Sequence, residues 1–141
     1  MSWTIETERG GDVRPEAVFA RYLDPTTWHE WGHNAVWARS DGPLEDGGIV
    51  EVRANYGKVY ACRITRLDPG HALELIARPP LMIVTQTYEV EPAASGSRVR
   101  HAIKVEAPFA GLMRLLGAKR MYQRLLDDEV DRLIELVGQA S

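Results

Sequence analysis

One cysteine and two phenylalanines in 141 residues are the first scarcities of this sequence, and each narrows what the chain can be. A lone thiol, Cys62, cannot close an intramolecular disulfide or supply the paired thiolates of a Cys-x-x-Cys redox or zinc motif. It is expected to pack as a small apolar residue. Basic charge is not in excess. Lys and Arg number 17 against 20 Asp and Glu, intermingled to a formal −3, without the basic stripe that neutralises phosphates. Nucleic acid is therefore not an expected partner. No run approaches the roughly 20 apolar residues of a membrane span, and no repeat or low-complexity tract is present. Met1-Ser2-Trp3-Thr4 is not a basic-then-apolar leader, which points to the cytoplasm. A glycine-rich phosphate loop, a nucleophile elbow and a Ser-His-Asp order are all missing, and no cofactor is expected. With an apolar fraction of 45%, the chain suits one domain over residues 1–141.

What is present is concentrated first in residues 108–138, a run with no interior proline between Pro108 and Gly138. Leu112, Leu115, Leu116, Tyr122, Leu126, Val130, Leu133 and Val137 form one stripe, with Arg120, Arg124, Asp127, Asp128, Asp131, Arg132 and Glu135 around the rest. The spacing predicts one long amphipathic helix of about 40 Å, at about 1.5 Å per residue. That length suits a broad sheet better than a neighbouring helix.

Upstream, Trp3, Ile5 and Thr7 alternate with Thr4, Glu6 and Glu8 as a half-buried strand ending at Gly10-Gly11. Pro15 opens a short helix carrying Val18, Phe19, Tyr22 and Leu23, which Asp24-Pro25 breaks. A second short helical turn places Trp28 and Trp31 on one side as a plug for the core. Six extended segments follow at 34–40, 48–55, 58–67, 71–78, 81–91 and 97–106. Asp41-Gly42-Pro43, Tyr56-Gly57, Asp68-Pro69-Gly70, Pro79-Pro80 and Ala94-Ser95-Gly96 separate them. Such short spacers imply an antiparallel meander.

Three segments carry a resemblance: Asp24-Pro25-x-x-Trp28-x-x-Trp31, the turn from Gly42-Pro43-Leu44 to Gly47-Gly48, and Ala107-Pro108-Phe109-Ala110-Gly111-Leu112. With them the whole chain resembles the START-like, or SRPBCC, superfamily, and within it the polyketide cyclase/dehydrase and lipid-transport group. The resemblance implies an α+β helix-grip fold, a curved antiparallel sheet of about seven strands around a long C-terminal helix, with two short helices after the first strand. It also implies a deep cavity between sheet and helix. The superfamily holds lipid carriers, polyketide cyclases, hormone receptors and co-chaperone domains, so it specifies a fold more than an activity.

Strand alternation then selects residues facing that cavity. Val50 and Val52, Tyr60, Cys62 and Ile64, Leu73 and Leu75, Met82, Val84, Gln86, Tyr88 and Val90, and Val99, His101, Ile103 and Val105 share the inward phase. The ligand-contacting candidates are Trp28, Tyr60, Leu73, Leu75, Met82, Val84, Gln86, Tyr88, His101, Ile103, Lys119 and Tyr122. Apolar walls supply affinity and sparse polar groups fix orientation. His101, Gln86 and Tyr88 double as acid/base candidates, although a histidine on an apolar strand face is more often a bonded core residue. Lys119 interrupts the helical stripe; its stem can lie along it with the amine in water, or the amine can stand at a pocket mouth and favour acidic ligands. Arg53, Arg63 and Arg78 near strand ends offer the same choice. His29 and His33 lack a third ligand and a firm helix, because Gly32 interrupts them, so no metal is expected; they belong at the surface of the tryptophan plug or at an entrance. Tyr56-Gly57, Pro79-Pro80 and Pro108 to Gly111 are possible lid joints.

Three functions are open at this point. The first is binding of a hydrophobic or amphipathic small molecule, such as a lipid, polyketide or aromatic metabolite. A polyketide cyclase/dehydrase-like enzyme is the second, needing little beyond a positioned substrate and one proton carrier. A protein-interaction module of co-chaperone type, with a filled core, is the third. Either a monomer or a homodimer fits, since Glu6 and Glu8 can block edge pairing.

Overall fold

The structure is a computed structural model, which describes residues 2–108, 117 and 119–139. Strand β1 (Ser2–Gly11) alternates exposed and buried residues up to Thr7, so Trp3, Ile5 and Thr7 face the core as their spacing predicts. Helix α1 (Pro15–Tyr22) has proline in its first turn, Glu16 near its N-terminus and Arg21 near its C-terminus, each suited to the helix dipole. A 3₁₀ helix (Pro25–Glu30) follows, its first turn held by the Asp24 carboxylate, which accepts from Thr26 N–H at 3.2 Å. Strands β2 (Trp37–Ser40), β3 (Ile49–Arg53), β4 (Val59–Asp68), β5 (Ala72–Ala77), β6 (Ile83–Ala93) and β7 (Gly96–Glu106) come next, then helix α2 (Lys119–Gln139).

All seven strands form one antiparallel sheet in the order β1-β7-β6-β5-β4-β3-β2. The two short helices carry the chain from one edge strand, β1, to the other, β2. This is the α+β helix-grip architecture. Pairing of Ala93 with Gly96 leaves a two-residue loop, and Gly96 adopts φ +131°, a conformation nearly reserved for glycine. Beside it the Ser97 hydroxyl donates to the Val13 carbonyl at 2.5 Å, tying the hairpin to the α1 approach.

Two boundaries differ from the sequence reading by three residues or more. Segment 34–40 becomes a strand only at Trp37, because Val36 N–H bonds Arg53 while Asn34 caps Asn55 through its side chain. The helix expected to run unbroken from residue 108 is described from Lys119 on, and Gly117 is in a turn, as glycine's low helix propensity favours. Leu112, Leu115, Leu116 and the 109–111 part of the expected joint lie outside the described residues. The 21 residues of α2 span about 30 Å. Leu126, Val130, Leu133 and Val137 on this helix are buried, each worth about 1.5–3 kcal/mol of transfer free energy. Among the described residues no helix is long and apolar enough to cross a membrane.

The core is divided. Val18, Phe19, Tyr22, Trp28, Trp31, Ile64, Leu73, Tyr88, Val90, Val99, Val130 and Leu133 belong to a large cluster under α1 and the middle of α2. Trp3, Ile5, Ile103, Val105, Ala107 and Leu126 form a smaller one toward the start of α2.

Candidate functional site

Where the two clusters fail to merge there is a cavity of about 170 Å³. Trp3, Trp28 and Trp31 line it, with Val52, Cys62, Leu75, Val84, Ile103 and Val105 as the sheet floor and Met82 just before β6. Tyr56, Tyr60, Pro79 and Tyr122 also line it. Period-two alternation produces this floor: facing residues on β3 to β7 turn alternate side chains to the concave side.

Of the twelve candidates, Trp28, Tyr60, Leu75, Met82, Val84, Gln86, Tyr88, Ile103 and Tyr122 line the cavity. Leu73 is fully buried inside the large cluster, and its facing partner Tyr88 takes the cavity side. Lys119 is exposed at the first turn of α2 and does not line the cavity, its long polar side chain being free to reach water. His101 points inward with no exposure, yet it too is absent from the wall, because the Tyr88 ring stands across it at 4.8 Å between centroids.

The residue that sequence reasoning missed is Glu129. It lies three positions after Leu126 and four before Leu133, on the apolar stripe of α2, and it is 3% exposed. That position is the available signal, since a carboxylate on a buried stripe requires partners. Two histidines provide them. Oε1 accepts from His33 Nδ1 at 2.8 Å and from the His33 backbone N–H at 3.1 Å, while Oε2 accepts from His101 Nδ1 at 2.7 Å. A carboxylate only accepts, so the proton of each Nδ1 lies on the imidazole. Nε2 of His101 is 2.9 Å from the Tyr22 hydroxyl, completing a buried chain from His33 to Tyr22.

Burial alone would raise the Glu129 pKa, but the hydrogen bonds from His101 and His33 and their charge outweigh it and hold the group at about 2. For His33 the order reverses: burial favours the neutral ring, and the bond to Glu129 with its charge prevails, raising the pKa. Burial and the Glu129 charge push the Tyr22 and Tyr88 phenols well above their ordinary value, so both stay protonated. Burial raises the Cys62 thiol to about 11, which leaves it an apolar wall residue without nucleophilic character.

His33 and Glu129 both line the cavity. His29 is exposed and parts from His33, whose side chain is 8% exposed; the pair shares no site, and among the described residues no cluster fit to hold a metal is found. Tyr88 donates its hydroxyl to Gln86 Oε1, and the Gln86 amide nitrogen forms no hydrogen bond to the described residues. The indole N–H groups of Trp3 and Trp31, both on cavity-lining residues, are buried and without acceptors among the described residues. The wall is thus apolar with an excess of donors.

No curated protein sequence matches this chain. Among solved structures it is similar to protein MLL2253 from Mesorhizobium loti, with a TM-score of 0.74 and 18% identity over 99% of both chains. It is also similar to the di-domain ARO/CYC StfQ from the steffimycin biosynthetic pathway, with a TM-score of 0.77 and 10% identity over 99% of this chain and 52% of that one. Ara h 8.0201 superposes with a TM-score of 0.64 and 15% identity, covering 99% of each chain. These likenesses are likenesses of fold. The sequence pattern of one family matches residues 2–138, nearly the whole chain, and the protein belongs to that family, polyketide cyclase / dehydrase and lipid transport.

Proposed function

We propose that the protein binds a hydrophobic or amphipathic small molecule carrying hydrogen-bond acceptors, a lipid, polyketide or aromatic metabolite, in the cavity between sheet and α2. The observation that carries this reading is the donor-rich apolar wall: among the described residues, two buried indole N–H groups lack acceptors beside a cavity of about 170 Å³, and the Gln86 amide nitrogen on the same wall is also unbonded. Buried donors without acceptors are costly, at about 1–3 kcal/mol each, and a ligand carbonyl or hydroxyl would relieve them. Native and then denaturing mass spectrometry of the purified protein tests the reading. Release of a stoichiometric small molecule on unfolding is the expected result. An empty protein that also shows no thermal shift with fatty or polyketide-like compounds would overturn it.

One observation favours a second reading, a cyclase/dehydrase-like enzyme. Glu129 holds the His33 Nδ1–H, the arrangement in which a carboxylate orients an imidazole, and His33 Nε2 has no partner among the described residues. That nitrogen would then exchange a proton with a bound carbonyl compound. His33→Gln separates the two readings: binding retained with turnover lost supports catalysis, whereas no turnover of any bound compound by the parent protein removes it. The interaction-module reading, with its filled core, draws no support from an open cavity.

A further inference from the structure

We infer that the cavity end of the molecule docks on the surface of an anionic lipid bilayer. The inference rests on the reading of the cavity as an apolar-ligand site only for its purpose; the surface itself is argued independently. Antiparallel register sets one end of the sheet, since Ser2 pairs with Glu106, Ile83 with Glu106, Ala77 with Val84, and Arg53 with both Val59 and Trp37. The start of α2 joins it, Tyr122 packing at 6.3 Å from Trp3.

Seven large apolar residues are exposed among those described, and five of them, Val36, Tyr56, Val59, Leu81 and Met121, lie at this end. Leu81 is 81% exposed and holds φ +65°, a conformation that costs a non-glycine residue about 1 kcal/mol. Among the described residues no buried contact of the Leu81 side chain offsets that cost.

Five cations gather at the same end. Arg53, Lys58, Arg78, Lys119 and Arg120 surround the same opening, each adjacent in sequence to a lining segment that contains Ala54 and Tyr56, Pro79 or Tyr122. All five are exposed, and none forms an ion pair or a side-chain hydrogen bond with the described residues. The ion-paired arginines, Arg9, Arg21, Arg39, Arg66, Arg98 and Arg100, lie elsewhere. Glu106 is the acidic residue of this end among those described, in a chain whose net charge is −3. Apolar tips projecting from four separate segments, with cations between them, match a bilayer interface: the tips enter the headgroup boundary while the cations meet lipid phosphates. A flat acidic protein surface would leave the projecting tips unfilled. Seated this way, the cavity mouth faces the lipid, and an apolar ligand passes between the two without crossing water.

Co-sedimentation with phosphatidylcholine vesicles, with and without phosphatidylglycerol, is the test. The parent protein is expected to pellet with the anionic vesicles, and raising NaCl from about 0.1 to about 0.5 M should release most of it. Leu81→Gly combined with Met121→Gln should lower binding about tenfold or more. Circular dichroism and melting of that variant should be unimpaired, since glycine relieves the Leu81 backbone. Leu23→Gln, at an exposed leucine where α1 ends, should change nothing. Failure of the parent to pellet with anionic vesicles, or equal pelleting of the double variant, overturns the inference. Nile red uptake in the absence of vesicles keeps the two readings apart. A Val84→Phe protein that still pellets but no longer takes up the dye shows docking independent of the cavity.

Discussion

Glu129 shows what one buried charge does to a small core. Removing its charge by Glu129→Gln leaves His33 and His101 without a carboxylate, and the expected loss of stability is about 3 kcal/mol, measured by urea unfolding. Its pH dependence has a definite sign. The folded pKa of about 2 lies below the ordinary 4.5, so the unfolded chain binds more protons between those values. Stability from this group is complete above about pH 4.5 and is lost as pH falls toward 2, a limb of about 3 kcal/mol that Glu129→Gln should flatten. His33 contributes in the opposite sense: its raised pKa means stability present below its ordinary 6.5 and lost as pH rises through the folded value. The inward direction of His101 was readable from strand alternation, whereas its partner was not, because Glu129 and His101 are 28 residues apart in sequence and meet only when α2 crosses the sheet.

At the level of elements, the hairpins differ in how much their glycines matter. A Cβ on Gly96 would stand 2.5 Å from the Gly11 carbonyl oxygen and 2.9 Å from the Val13 nitrogen, both backbone atoms that cannot swing away. Gly96→Ala is expected to cost about 3 kcal/mol. Gly57, at φ +92° with nothing within 4 Å, carries only the conformational penalty, and Gly57→Ala should cost about 1 kcal/mol in the same unfolding assay. Turn residues marked both hairpins in the sequence, since glycine's positive φ is a local property. The clash at Gly96 was not legible, because it comes from a chain segment that β1 brings alongside the β6–β7 hairpin.

For the whole molecule, the cavity is the space left between two core clusters, and filling it separates binding from folding. Val84→Phe, facing the cavity from β6, should abolish small-molecule uptake while moving the melting temperature by only a few degrees, because it fills space in place of making it. Thermal melting with and without an added ligand measures both effects. Element order, the antiparallel meander and the inward phase of β3 to β7 were determined by the sequence alone. Turns, period-two alternation and helical stripes are local patterns that each segment carries by itself. Only the tertiary structure decided that Leu73 is packed while Leu75 lines the cavity, that His33 and not His101 reaches its wall, and that five exposed cations share one end with the protruding Leu81. Those outcomes depend on where distant segments meet around a curved sheet, and no pattern of spacing within a single segment contains that distance.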